Sequence, residues 1–459
     1  MRISSPSASD GRRRHRLALR VPRLAAGLAA ASLVAFGGLT PVLGPAAGAA
    51  TVARAHPAPG PSLATRAAID KPRGFFYRTD VARRGSAQSG ASGQSNPSCG
   101  GCQPPLLFTP DSPVMGGVSG TPGHVTITPI YWAPSGYSFT STYKNIINGY
   151  LSNVAAASHT NGNVFAVADQ YYQQATGGPV QHIDYAVTAG AEVDVSNAYP
   201  AQGGATGCTA DSGFTACVAD QGLQDEVATT LAGRGLPADD AHLYMVFFPP
   251  AVETCQGPGV ASDNNPCSTN AYCGYHSAFG SQPAIYANEP YPPLNGCSDP
   301  FNGAQAPNGD PEADAALSVV SHEANESITD TYNTWIDGNG YEDGDECSYT
   351  YGVPLGSTGV SHPGASGTMY NQTINGAHYF TQDEFSNTDY FMGHGDVNYV
   401  GGTVVAGCIQ RPNLPPTITT TSLPSGTTGQ AYSPPWARRE APLLTPGPWR
   451  QGACRPPCN

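Results

Sequence analysis

The chain has 459 residues, 21 of them Lys or Arg and 34 Asp or Glu, for a formal charge of −13. That length accommodates two or three domains. Only 12% of residues are charged, which excludes a charge-rich disordered protein, and 55 Gly and 43 Pro in no strict period exclude collagen. The acidic balance also disfavours nucleic acid, whose affinity rests on Lys and Arg, and no basic stripe follows residue 23.

Arg12, Arg13, Arg14, Arg16, Arg20 and Arg23 form a basic leader. An apolar run from Leu24 to Leu43 and the small residues Ala46–Ala50 follow it. Residues 1–50 therefore read as a secretory signal peptide, with no membrane span after its removal and a secreted, extracellular location. The twelve cysteines agree, because an even count in an exported chain reads as disulfides. Cys208 and Cys217 are a plausible short-loop pair, and Cys99-Gly-Gly-Cys102 a local bridge. Residues 51–120 are rich in Pro, Gly, Ser and Ala and read as a linker or pro-region.

Ordered pattern begins at His124. Val125–Trp132 is β-branched and aromatic, which predicts a strand, with Pro129 implying an edge or bulge. Residues 139–157 carry Ile146, Ile147, Tyr150, Leu151 and Val154 at helical spacing. Residues 163–172 and 180–188 read as strands, 221–234 as a helix, and His242–Phe248 as a buried strand. Residues 283–288 read as another strand. The clearest helix follows: Asp310 is a good N-cap, Pro311 suits the first turn, and Ala313, Leu317, Val320, Ala324 and Ile328 make one stripe. Residues 371–408 include a strand pair. This alternation predicts an α+β (α/β-like) fold with a central mixed sheet and packed helices, disulfide-bonded. Residues 415–433 resemble the first strand of bacterial immunoglobulin-like domains, but too little chain follows for such a domain. Residues 411–459 thus read as a truncated module start and a disordered tail.

Chemistry concentrates in Ser321-His322-Glu323-Ala324-Asn325-Glu326-Ser327-Ile328-Thr329-Asp330. His322 and Glu326 are one helical turn apart and share a face, opposite the apolar stripe. That face is expected to look outward or into a cleft. Zinc accepts imidazole nitrogen and carboxylate oxygen and keeps a position for water in catalytic sites. Glu323 stands where the His-Glu-x-x-His zinc peptidases keep their general base, although Glu326 here replaces the second His. Further ligands are sought in Asp337-Gly-Asn339-Gly-Tyr-Glu342-Asp343-Gly-Asp345-Glu346-Cys347, with Glu342 or Asp345 completing the shell. Dense carboxylates also suit calcium, but Ser348 at the twelfth position rules out an EF-hand. A solvated acidic turn is the bland alternative. His276 is a further candidate, more readily read as a structural hydrogen-bonder beside Cys273. No Gly-x-Ser-x-Gly elbow, P-loop or dinucleotide fingerprint appears.

The order of these motifs resembles the exordium, or phosphate-induced, protein family and its bacterial exported relatives. The matching pieces are Val125–Trp132, Leu243–Phe248, Cys273-Gly-Tyr-His276, Ala284–Asn288 before Cys297, and Pro307-Asn308-Gly309-Asp310. They continue through Ser321–Glu326 with Thr329-Asp330, Trp335, Glu342 with Asp345 and Cys347, Tyr370-Asn371-Gln372, Ser386-Asn387 and Cys408. The resemblance spans residues 121–410 and implies a secreted, cell-wall or apoplast-associated protein, without implying a particular reaction. Plant members tend to lack the His matching His322 while keeping the carboxylates matching Glu323 and Glu326. The order of elements is similar to that of zincin peptidases, a likeness of fold rather than of function.

The sequence thus points to an exported protein with a zinc-dependent, peptidase-like hydrolase site. His322, Glu326, Glu342 and Asp345 are the metal ligands, Glu323 is the base, and an extracellular peptide or cell-envelope component is the substrate. The alternative is a non-catalytic extracellular or cell-wall-associated protein that binds calcium or carbohydrate.

Overall fold

The computed structural model describes residues 73–78, 101–298, 305–359, 367–398 and 403–412. The signal peptide, most of the linker and the immunoglobulin-like start lie outside the described residues. The chain divides into Met1–Pro57 and Ala58–Asn459, and every described residue belongs to the second unit.

The main elements are β1 (Arg73–Tyr77), β2 (His124–Trp132), α1 (Ser141–Ala156), β3 (Ala186–Ala189), β4 (Val193–Val195) and α2 (Asp220–Arg234). They continue with β5 (His242–Phe247), β6 (Tyr272–Phe279), β7 (Ala284–Glu289), α3 (Pro311–Asp330) and the single turn α4 (Asp343–Glu346). One seven-stranded sheet runs in the order β1-β6-β7-β5-β2-β3, with β4 also on β2. It is mixed: β1, β6 and β7 pair antiparallel, whereas β7-β5, β5-β2, β2-β3 and β2-β4 are parallel.

Strand alternation sorts the core into two layers. Leu243, Met245 and Phe247 face the side covered by α1 and by Ala313, Leu317, Val320, Ala324 and Ile328 of α3. Tyr244, Val246 and Phe248 face the other side, where Leu223, Val227 and Leu231 of α2 pack. Local chemistry sets the helix starts. The Asp310 side chain accepts from Ala313 N at 3.1 Å, and Thr140 Oγ1 accepts from Tyr143 N at 3.0 Å, each satisfying an N–H that a helix start leaves unpaired.

Three expectations are corrected. β2 is not an edge: it lies between β5 and the β3/β4 pair. Pro129, which has no N–H, stands where the partner changes, after Ile127↔Ala189 of β3 and before Ile130↔Val193 of β4. Val164–Gln170 is a 3₁₀ helix rather than a strand, started by Asn163, whose side chain accepts from Phe165 N. Its run of buried apolar residues carried no period that separates helix from strand. The polar side of α3 is not outward: all of its residues except Glu312 are buried.

Four disulfides join described cysteines: Cys208–Cys217, Cys255–Cys267, Cys273–Cys297 and Cys347–Cys408. Cys102 is also disulfide-bonded, while Cys99 lies outside the described residues. Among the described residues no helix is long and apolar enough to cross a membrane.

Cys347–Cys408 closes a separation of 61 residues and Cys208–Cys217 one of 9. Loop-closure entropy gives about 4 kcal/mol for the first and about 2.5 kcal/mol for the second. Urea unfolding of the two double Cys→Ser variants should therefore show the larger loss for C347S/C408S. The reverse order would refute this ranking.

Candidate metal centre

The site is built where α3 crosses the sheet beside β6. Two glycines allow the approach. A Cβ on Gly274 of β6 would stand 2.4 Å from Val319 Cγ1 and 3.0 Å from Glu323 Oε1, and a Cβ on Gly344 of α4 would stand 2.5 Å from His322 Nδ1. Because Gly274 has no side chain there, the outer turn of α3 reaches the strand that carries His276. Gly344 seats α4 against the imidazole of His322.

The expected ligands converge. His322, Glu323 and Glu326 come from α3, Glu342 and Asp345 from the turn at α4, and all are buried. His322 Nε2 lies 3.0 Å from Glu326 Oε1 and 3.9 Å from Asp345 Oδ1. The Asp345 backbone N–H donates to Glu326 Oε1 at 2.9 Å, and the Glu342 N–H to Asp345 Oδ2 at 3.3 Å. His276 joins them, with Nδ1 3.2 Å from Glu323 Oε2 and 3.6 Å from Glu326 Oε2, and Nε2 3.4 Å from Glu342 Oε2. Two sets, His276/Glu326/Glu342 and His322/Glu323/Glu326, each bring three ligand atoms within 4.8 Å of one another.

Several atoms aimed into this space have no hydrogen-bond partner among the described residues. They are His322 Nε2, Glu323 Oε1, Glu326 Oε2, Glu342 Oε2, Asp343 Oδ2 and Asp345 Oδ1. His322 Nε2 and Glu326 Oε1 are close yet lack hydrogen-bond geometry. A buried charge left this way is costly unless a counter-charge or a metal meets it. Of the ion pairs among described side chains, none brings Lys or Arg here; Lys144 pairs with Glu192 and Asp194 on the surface.

Burial, opposed by the carboxyls of Asp345 and Asp343, lowers the His322 imidazole to about 4. It is thus neutral, as a metal ligand must be. Burial first, and neighbouring carboxyls second, push Glu323, Glu326, Glu342 and Asp345 well above the ordinary range. Asp343 is raised to about 6, also by burial.

Sequence reasoning assigned His276 a structural role and missed Gln382, Asp343 and Phe76. The Gln382 amide nitrogen lies 2.8 Å from His322 Nδ1 and donates to Gly344 O at 3.0 Å, while its Oε1 has no partner. Phe76 of β1 covers the other side, its ring 4.7 Å from His322 and 5.0 Å from Tyr349. The place of His276 beside Cys273, bridged here to Cys297, was what favoured the structural reading. Gln382 sits in a polar run with no signal at all. The acidic stretch is not a solvated turn: Glu342, Asp343, Asp345 and Glu346 are buried.

No family model, curated protein or solved structure matches this chain.

The raised carboxyls fix a pH dependence. Groups whose folded pKa lies above the unfolded value stabilise the fold below the unfolded value, about 4 for a carboxyl, and lose that contribution as pH rises through the folded value. Chelator-treated protein should therefore unfold at progressively lower temperature as pH rises from about 5 through about 6, the folded value of Asp343, and beyond. Adding a divalent ion should reverse the trend. A flat or rising Tm in the chelated protein over that range would contradict the assignment.

Proposed function

We propose that this is a secreted protein of exordium type whose buried His/Glu/Asp cluster holds zinc for hydrolysis of a peptide or another cell-envelope component. The observation that carries the reading is the convergence of two imidazoles and four carboxyl groups, several of their atoms without a hydrogen-bond partner among the described residues, where no ion pair among described side chains brings a Lys or Arg. The donor set fits the ion, since nitrogen and carboxylate oxygen are zinc ligands. When bound, zinc supplies a Lewis acid and acidifies a water that it holds.

The chain's own residues divide the remaining work. His322 and Glu326 are ligands, held by the helix and by the Asp345 N–H. Asp345 and Glu342 complete the shell from α4 and the residue before it, and His276 adds a nitrogen from β6. Glu323 is the proton acceptor: Oε2 is engaged by His276 Nδ1, whereas Oε1 has no partner among the described residues. The raised affinity of this carboxyl for a proton suits a base working near neutral pH.

One observation favours a second reading. Every member of the cluster is closed to solvent, His322, Glu323 and Glu326 completely so. That suits a calcium or structural ion in a non-catalytic extracellular protein. A polysaccharide-binding surface has less support, because both described tryptophans, Trp132 and Trp335, lie in the core.

Metal analysis of the purified full chain separates the first two readings. Zinc that is lost in His322→Ala, together with peptide-bond cleavage that falls about 10²- to 10⁴-fold in Glu323→Gln while zinc is retained, supports the hydrolase. Calcium, or no metal with unchanged folding, supports the binder and ends the hydrolase reading.

A further inference from the structure

We infer that the cluster holds two divalent ions bridged by the Glu326 carboxylate, a step that rests on the metal-site reading above. Glu326 turns its two oxygens to different imidazoles: Oε1 lies 3.0 Å from His322 Nε2, and Oε2 lies 3.6 Å from His276 Nδ1. Each imidazole has a carboxylate of its own beyond Glu326. Asp345 Oδ1 lies 3.9 Å from His322 Nε2, and Glu342 Oε2 lies 3.4 Å from His276 Nε2, the nitrogen left to hold an ion when Nδ1 engages Glu323. The two groups of donors within 4.8 Å of one another, His276/Glu326/Glu342 and His322/Glu323/Glu326, share Glu326 and otherwise differ, and Asp345 approaches the second group through His322. A carboxylate that faces two ligand sets in this way is the bridge of two-metal sites, whose ions sit about 3.5–4 Å apart.

Satisfaction of the donors leads to the same count. A single four-coordinate ion cannot satisfy six donors. Placed among His322, Asp345 and Glu326, it leaves Glu342 Oε2 orphaned. Placed among His276, Glu342 and Glu326, it leaves His322 Nε2 and Asp345 Oδ1 orphaned. All three atoms lack a hydrogen-bond partner among the described residues. Glu323, within 4.8 Å of the His322 and Glu326 donors, remains as the base.

The experiment is metal stoichiometry of the purified full chain, stripped with chelator and reloaded with zinc, then dialysed. Two zinc ions per chain are expected, falling to one in His276→Ala and to one in His322→Ala, with both lost in Glu326→Gln. Cobalt substitution should give an EPR signal weakened by coupling between the two ions, and the full uncoupled signal should return in either His variant. One ion in the wild-type chain overturns the inference and leaves the metal-site reading standing. No ion at all removes both. Two ions retained in both His variants place the metal elsewhere and also overturn it. The wild-type count decides even if a variant fails to fold, and Glu342→Gln and Asp345→Asn, which keep side-chain shape, then replace the His variants, each expected to bind its one affected ion at least tenfold more weakly.

Discussion

The constraint that governs this molecule is a dense set of carboxyl groups taken out of water. Desolvating one ionised carboxylate costs several kcal/mol even after relaxation, and here Glu323, Glu326, Glu342 and Asp345 meet around two imidazoles with little or no solvent exposure. Protonation relieves part of that cost, and the raised pKa directions show that the fold favours it. Protonation does not explain His322, whose Nε2 is buried and without a hydrogen-bond partner although two carboxyls lie within 3.9 Å. A bound cation, as proposed above, would meet both the imidazole lone pair and the carboxylate oxygens.

The fold is arranged to hold that set in place. α3 packs its apolar stripe on the sheet and turns His322, Glu323 and Glu326 towards β6 and α4. Two covalent staples sit beside His276 and Asp345. Cys273, three residues before His276, is bridged to Cys297, and Cys347, two residues after Asp345, is bridged to Cys408. Each staple restricts the unfolded chain, and the second also anchors the short turn that carries Asp345. In α4 four residues make one turn, so the position of Asp345 depends on the Cys347 bridge and on the contact between Gly344 and the His322 ring.

The parts of this arrangement written in local sequence were legible. Asp310 and Pro311 announced the start of α3, its stripe gave the packed face, and the spacing of His322 and Glu326 gave their shared side. Cys208 and Cys217 pair as their short separation suggested. What failed was information that only tertiary structure holds. The polar side of α3 looked like a solvent or cleft face because a single helix cannot show that β1, α4 and the segment around Gln382 will close over it. His276 lies 46 residues before His322, and no local pattern reports that a strand and a helix so separated will meet. The 3₁₀ turn at Val164–Gln170 was misread because a fully buried stretch carries no amphipathic period.

The wall over the cluster is the weakest of its supports. β1 is an edge strand, held through the ladder by β6 alone, with register shifts on both sides of the Phe75–Phe76 pairings. In sequence, 29 residues separate Tyr77 from Leu107, the start of the next described strand. A strand hydrogen-bonded on one side has half the ladder of an internal strand, so what fixes β1 is side-chain burial. Phe76 is fully buried between His322 and Tyr349, and the Tyr349 hydroxyl donates to Tyr77 O at 2.8 Å. Burying one Phe contributes about 1.5–3 kcal/mol, which is small beside the cost of leaving the carboxyl cluster uncompensated. The cluster's charge state, rather than the strand above it, therefore decides whether this corner of the fold is stable.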